Sequence, residues 1–230
     1  MKKRVLQFIG SFHQGGSERQ AVSLTRLLKN EDSFEVFAAT LNNKGVLRTE
    51  IDKAGLPEIP EFPLTSFFNA NFVLQVRQCA KYLSDNKIDI VHTHDFYTNV
   101  FGMAAATLAG VRVRIASKRE TGGMRSGSQI FVEKIALGRA KAIVVNSAAV
   151  RDDLIGRAIS SAKIHIIYNG IDLERFAVAE DRSAVCSRFG LSTDEKIRYV
   201  TMVANLRHKV KNVPMLLRVA KHVAESHADV

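Results

Sequence analysis

The sequence predicts an α/β fold in which helices cover both faces of a parallel sheet. Three observations lead there. Six short apolar runs, "RVLQFI", "FEVFAAT", "IDIVHTH", "VRVRIAS", "KAIVVNS" and "KIHIIYN", are separated mostly by segments of helical spacing, an alternation that marks parallel strands joined by crossover helices. The runs are apolar at consecutive positions toward their centres, as strands must be when both faces of their sheet are covered. Gly55, Gly110 and Gly190 stand where helices would stop, the place for left-handed C-caps.

The first run leads into "GSFHQGGSERQAVSLTRLL". Ala21, Leu24, Leu27 and Leu28 recur at helical spacing, and Ser17 and Gln20 are spaced as an S-x-x-Q capping box. The segment reads as strand, Gly15–Gly16 turn and helix. Glycines there let the backbone take positive φ, or let a ligand approach with no Cβ in the way. A helix start presents unpaired N–H groups and a partial positive charge, a common seat for phosphate. The turn matches neither G-x-x-x-x-G-K-[ST] nor G-x-G-x-x-G, so it is neither a Walker loop nor a dinucleotide fingerprint. A plain tight turn is the competing reading.

After the second strand and its helix, the third run ends in "VHTHD". Period-two geometry puts His92 and His94 on one face of the strand end, with Asp95 just beyond. A third or fourth ligand cannot be placed beside them, so no metal is expected. Hydrogen-bonded histidines at a cleft rim are the reading, with His94 in reach of a substrate hydroxyl or phosphate. The fourth run leads into "SKRETGGMRSGS", too glycine-rich and charged to be helical throughout, and a mobile cleft loop is predicted. Lys118 and Arg119 alternate sides, so only one points inward; solvated charge is the alternative. Gly15–Gly16, His92 to Asp95, Lys118 to Gly123 and Asn146–Ser147 all fall at carboxyl ends of predicted strands, where open parallel sheets bind ligands.

Past the sixth run the pattern changes to a polar stretch from Ala177 to Lys196, with a short helix ending at Gly190. A new unit then begins: strand "IRYVTMVANL", basic loop "RHKVKN" and helix "VPMLLRVAKHVAE". One strand and one helix cannot bury a core. The expected organisation is a complete domain over 1–172, a linker over 173–196, and the first strand–helix unit of an incomplete second domain over 197–230.

The 230 residues are 46% hydrophobic, an ordinary globular composition. The amino terminus is basic and then apolar, but its apolar run is short, contains Gln7 and lacks a small-residue cleavage site, unlike a signal peptide. No run approaches the roughly 18 apolar residues that span a bilayer. Cys79 and Cys186 are far apart and form no metal-type spacing, which suits reduced thiols and a cytoplasmic setting. The formal charge is +10, and eight basic residues against two acidic ones between Arg112 and Lys141 concentrate +6 in one segment. A phosphorylated substrate, an anionic membrane face and nucleic acid compete as partners, with solvated helix faces that bind nothing as the alternative. No recognition-helix, zinc-finger or RNP-type pattern supports nucleic acid, and none is expected.

In order along the chain, "GGSERQAVSLTRLL", "IDIVHTHDFYTNVFGMAAATLAG", "AIVVNSAAVRDDLI" and "IHIIYNGIDLERF" resemble the amino-terminal domain of family 4 (group 1) retaining glycosyltransferases. They match its Gly-Gly-x-Glu turn, H-x-H strand end, V-x-x-S strand and helix, and I-x-N-G-[IV]-D interdomain crossing, the last being the most specific. "VANLRHKVKNVPMLLRVAKHV" resembles the opening of that family's second domain. The resemblance implies the two-Rossmann GT-B architecture, and transfer of a sugar from a nucleotide-sugar donor to a glycan, lipid-linked glycan or small-molecule acceptor with retention at the anomeric carbon. It needs no cofactor and no metal. It places Gly15 and Gly16 near the donor phosphates and the acceptor mainly on the first domain, near His94 and Arg119. The basic segment would then hold a phosphorylated or lipid-linked acceptor, with peripheral association at the inner face of the cell membrane as one setting.

Two departures qualify the carry-over. Arg119 stands where members often have a histidine near the transferred sugar, and arginine cannot serve as a general base; pairing with a phosphate or carboxylate is the role left to it. Ala204–Asn205 replaces the family's Gly-Arg, so its arginine role passes to Arg207, with Lys211 as the family lysine and Lys209 as its rival. The family's paired glutamates would lie beyond Val230. A dinucleotide-binding oxidoreductase, which lacks its glycine fingerprint here, and a noncatalytic basic domain for an anionic partner are the competing classes.

Overall fold

A computed structural model of the chain describes residues 2–171, 173, 180–204 and 211–227. The chain divides into two units, residues 1–171 and 172–230.

The first unit is a six-stranded sheet in the order β2-β1-β3-β4-β5-β6, with every neighbouring pair parallel. The strands are β1 (Lys3–Ser11), β2 (Phe34–Asn42), β3 (Ile90–Thr93), β4 (Val113–Lys118), β5 (Ala142–Val145) and β6 (Ile164–Ile166), so each apolar run supplies one strand. The helices are α1 (Gly16–Lys29), α2 (Arg48–Asp52), α3 (Ala70–Asp85), α4 (Phe96–Leu108), α5 (Gly127–Arg139) and α6 (Ala148–Gly156).

Period-two side chains of β1 feed two cores. Leu6 and Phe8 pack with Val76, Cys79 and Leu83 of α3 and Phe101 and Ala105 of α4. Ile9 turns to the opposite side, with Ala21 and Val22 of α1 and Ile51 of α2. A third cluster joins Ala116, Ile143 and Val145 to α4, α5 and α6. Gly102 lets α4 lie close on the sheet, because a Cβ there would stand 2.6 Å from Cγ2 of Thr93. As expected for C-caps, Gly55, Gly110 and Gly190 have φ of +61°, +70° and +65°.

Local chemistry sets the helix starts. Asn69, Asp95, Ser126 and Ser147 cap α3, α4, α5 and α6, each accepting a backbone N–H. α1 differs from expectation. It begins at Gly16 with Gly15 as N-cap and has no side-chain cap, so Ser17 lies inside the first turn and the S-x-x-Q box does not form. The Gln20 amide instead donates to the Gly170 carbonyl at 2.9 Å.

The second unit contains α7 (Arg182–Arg188) and α8 (Val213–Ser226), matching the helices expected ahead of Gly190 and after the basic loop. The expected strand "IRYVTMVANL" is not formed over residues 197–204. A strand needs a neighbour to complete its ladder, and among the described residues of this unit none pairs with it.

Candidate functional site

β2 lies on one side of β1 and β3 on the other, so the chain reverses its direction of travel across the sheet between β1 and β3. The loops at the carboxyl ends of strands beside such a switch point form the ligand crevice of open α/β sheets. Here they are the β1–α1 turn, the β3–α4 corner and the segment after β4.

The β1–α1 turn is braced from behind. The Phe12 amide donates to Lys44 O and the Phe12 carbonyl accepts from Leu47 N, at 3.0 and 2.9 Å. This approach requires Gly45, whose φ is +131° and where a Cβ would stand 2.0 Å from the Phe12 backbone. Thus anchored, the chain reaches Gly15 in an extended conformation and enters α1 at Gly16 with no side-chain cap hydrogen bond. A Cβ on Gly15 would stand 2.1 Å from the Glu18 carboxylate, whereas one on Gly16 would meet nothing within 4 Å. The Glu18 carboxylate thus lies against Gly15, while the space beside Gly16 is open.

The β3–α4 corner is built on buried polar groups. His92 pairs in register with Gln7 of β1 and Ile115 of β4. His92 Nε2 lies 2.8 Å from Ser117 Oγ, and His94 Nε2 lies 2.7 Å from Gln7 Oε1. The rings are 4.2 Å apart, on one face as the spacing predicts. They lie beneath the rim rather than on it, for His94 is 1% exposed. Burial, with Arg119 adding to it, pushes His92 down to about 3. Burial, then His92 and Arg119, holds His94 well below the ordinary imidazole value. Both rings are neutral at neutral pH. Asp95 and Thr98 form a reciprocal capping box; burial raises the Asp95 pKa, while the Thr98 amide works the other way.

The segment after β4 separates its two cations, as alternation requires. Lys118 turns to the interior and meets Glu133 of α5 at 2.7 Å, both side chains being 2% exposed. Arg119 turns to the crevice and donates from Nη1 to the His94 carbonyl at 3.2 Å. Burial lowers the Arg119 pKa, and the Asp95 and Glu18 carboxylates draw it back up. Arg119 is thus a half-buried cation facing two acidic side chains.

The glycine-rich segment after β4 makes several contacts within the fold. The Gly122 amide donates to Asp153 at 3.3 Å, Asp153 also accepts from Arg157 at 2.9 Å, and Arg157 lies 3.8 Å from Glu133. Arg125 covers the Phe96 ring at 4.3 Å and pairs with Glu120. Of the eight cations in the basic segment, Lys118, Arg114, Arg119 and Arg125 are thus engaged in contacts within the fold.

The structure brings together Gly15, Gly16, the His94 backbone and Arg119. Lys211 belongs to the second unit, immediately before α8. Arg207 and Lys209 lie outside the described residues. Glu18 and Gln7 were not singled out from sequence. The motif Gly-Gly-x-Glu carries Glu18, but only the folded turn shows its carboxylate bending back over Gly15.

The sequence profile of Glycosyltransferase Family 4 matches residues 14–175. EpsF of Bacillus subtilis (strain 168), which bears a glycosyltransferase name, is 29% identical over 97% of this chain. A galactosyltransferase of Escherichia coli, named for UDP-Gal and α-D-GlcNAc-diphosphoundecaprenol, is 28% identical over 64% of it. The chain spans 59% of EpsF and 39% of the galactosyltransferase. Among solved structures, Anabaena HepE in complex with UDP and glucose superposes with a TM-score of 0.68 at 18% identity, covering 82% of this chain and 50% of HepE. A UDP-N-acetylglucosamine 2-epimerase from Rickettsia bellii shares the fold at a TM-score of 0.57 and 12% identity, so the architecture by itself does not select a reaction. The profile match covers the Gly-Gly turn, the H-x-H corner and the N-G-I-D crossing: the chain belongs to Glycosyltransferase Family 4.

Proposed function

We propose that this chain forms the acceptor-side part of an enzyme that transfers a sugar from a nucleotide-sugar donor to a glycan or lipid-linked glycan, with retention of configuration at the anomeric carbon. One observation carries the reading. The uncapped start of α1, the open space beside Gly16 and the Arg119 guanidinium lie on loops from β1, at the switch point of the sheet, and from β4, the strand beyond β3. The name of one relative, which begins with UDP-Gal, supports a nucleotide-sugar donor.

When the glycosidic bond of the donor breaks, negative charge develops on the departing nucleoside diphosphate. Backbone N–H groups fixed at a helix start, together with cations, stabilise such charge without reorganising. Gly16 would bring its backbone amide to the phosphates, and Gly15, whose own amide donates to the His13 carbonyl at 2.9 Å, would let them approach without a side chain in the way. Arg207 and Lys211 would supply charge from the second unit, a fork and a point charge respectively. Arg119 cannot take a proton, so its part is to hold an anionic group of the acceptor or the departing phosphate. His94 acts through Arg119: its neutral ring is locked by Gln7, and its carbonyl fixes the guanidinium.

The test is a transfer assay with UDP-glucose, UDP-galactose and UDP-N-acetylglucosamine against a lipid-linked N-acetylglucosaminyl diphosphate, with the anomeric coupling of the product read by NMR. Transfer with an α-linked product from an α-donor supports the reading. A β-linked product removes retention, and UDP-N-acetylmannosamine formed without an acceptor replaces transfer by epimerisation.

A further inference from the structure

Beside the crevice stands a group of side chains to which the chemistry above gives no part. Phe67 and Tyr97 stack at 5.7 Å with 22° between their planes, and Phe96 meets Tyr97 edge-on at 5.2 Å. Arg125 lies over Phe96 at 4.3 Å and 5.8 Å from the centre of Tyr97. It pairs with Glu120, and its Nε is buried without a partner. Tyr97 is nonetheless 48% exposed. Phe67 stacks on its ring, Phe96 meets it edge-on and Arg125 lies over it, and about half of the residue stays exposed. It stands two residues past Asp95, in the first turn of α4, so it adjoins the corner whose carbonyl Arg119 grips.

We infer that Tyr97, Glu120 and Arg125 form a subsite for one pyranose ring of the acceptor, the ring's C–H face lying on Tyr97 and its hydroxyls meeting Glu120 and Arg125. This rests on the reading of the chain as the acceptor side. A sugar ring has an apolar face and a polar edge, and its recognition calls for a rigid amphipathic surface with a few convergent polar groups. Tyr97 is rigid because three neighbours fix it. Glu120 and Arg125 provide one acceptor group and one donor group whose charges cancel, which suits a neutral polyhydroxy ligand. That cancellation argues against an anionic membrane as the occupant, even though Phe68 in the neighbouring loop is 82% exposed.

The experiment is saturation-transfer NMR on the chain with irradiation of aromatic protons, using methyl α-D-glucopyranoside and methyl N-acetyl-α-D-glucosaminide as probes and D-sorbitol as an acyclic control. Saturation is expected on ring C–H protons of at least one pyranoside and not on sorbitol. Tyr97→Ala should weaken pyranoside binding roughly three- to tenfold, the order of an aromatic stacking contact, while Tyr97→Phe retains it and Glu120→Gln weakens it. Unchanged circular dichroism and Tm establish that the variants fold. No transfer to either pyranoside, equal transfer to sorbitol, or an unaffected Tyr97→Ala overturns the inference. Phosphatidylglycerol vesicles that bind wild type, lose binding in Tyr97→Ala and Phe68→Ala, and leave pyranoside binding unmoved would overturn it too and assign the surface to lipid. UDP binding, measured on the same samples, separates the two readings: its absence counts against the proposed donor site and leaves the pyranoside result standing.

Discussion

A Cβ placed on Gly10 would lie 2.4 Å from Oδ2 of Asp95. The end of β1 and the capping carboxylate of α4 thus occupy adjoining space, and the crevice depends on a residue without a side chain at a position no motif marks. Asp95 cannot simply move aside, because it accepts from the Thr98 amide at 2.9 Å while Thr98 Oγ1 accepts from the Asp95 amide. Gly10→Ala should therefore cost roughly 1–3 kcal/mol, the usual range for overpacking a well-filled site. Urea denaturation measures it; an unchanged midpoint would mean that the corner relaxes freely.

Arg119 is expected to act as a charge. In a transfer assay Arg119→Ala should lose roughly 2–4 kcal/mol of transition-state stabilisation. Arg119→Lys should retain part of it, since the charge remains and the fork to the His94 carbonyl is lost. Wild-type kinetics in Arg119→Ala would return the residue to the solvated surface.

The buried Lys118–Glu133 pair positions the segment that carries Arg119. Removing one partner leaves the other charged and unpaired, so Glu133→Gln should destabilise the fold by about 3–5 kcal/mol. The double change Lys118→Met with Glu133→Leu should recover most of that loss, because similar volume is kept and no lone charge is buried. Thermal or urea unfolding of both variants decides it, and a double variant as unstable as the single one would show that the pair is more than mutually compensating.

Acid should weaken the fold through the two histidines. The folded pKa of His92 lies near 3, below its ordinary value, and His94 is shifted the same way. The unfolded chain then binds protons that the folded chain refuses, and stability falls as pH drops through about 6.5 toward 3, by up to about 1.4 kcal/mol per pH unit for each group. Asp95, whose folded pKa is raised, works in the opposite sense near the foot of that window. The urea midpoint should drop between about pH 7 and pH 5, and His92→Gln should reduce the slope. A flat midpoint in wild type would contradict the burial of neutral rings.

The six strands were legible because each is an apolar run with both faces covered, and the glycine C-caps because only glycine adopts that backbone readily. The switch-point loops followed from where those runs end. The cap of α1 was misread: S-x-x-Q spacing is a local signal, and tertiary bracing of Phe12 by the Lys44–Leu47 segment lets the helix begin at Gly16 instead. The stretch 197–204 has strand-like residues, yet a ladder depends on a partner that residue pattern does not supply. The binding of Lys118 to Glu133, and of Arg125 to Phe96, joins residues on different elements, and alternation along one strand says only which way each points.

If the start of α1 receives the donor phosphates, Gly16→Ala should disturb their binding. Alanine is tolerated at the first helical position, and a Cβ there meets no atom within 4 Å, so any loss must come from a ligand that needs the space. Calorimetric titration with UDP, with uridine as the control lacking phosphate, should show UDP bound by the wild-type chain and weakened roughly tenfold or more in Gly16→Ala at unchanged Tm, with uridine indifferent to the change. Equal UDP affinity in the two proteins would mean that the phosphates do not bind at the start of α1.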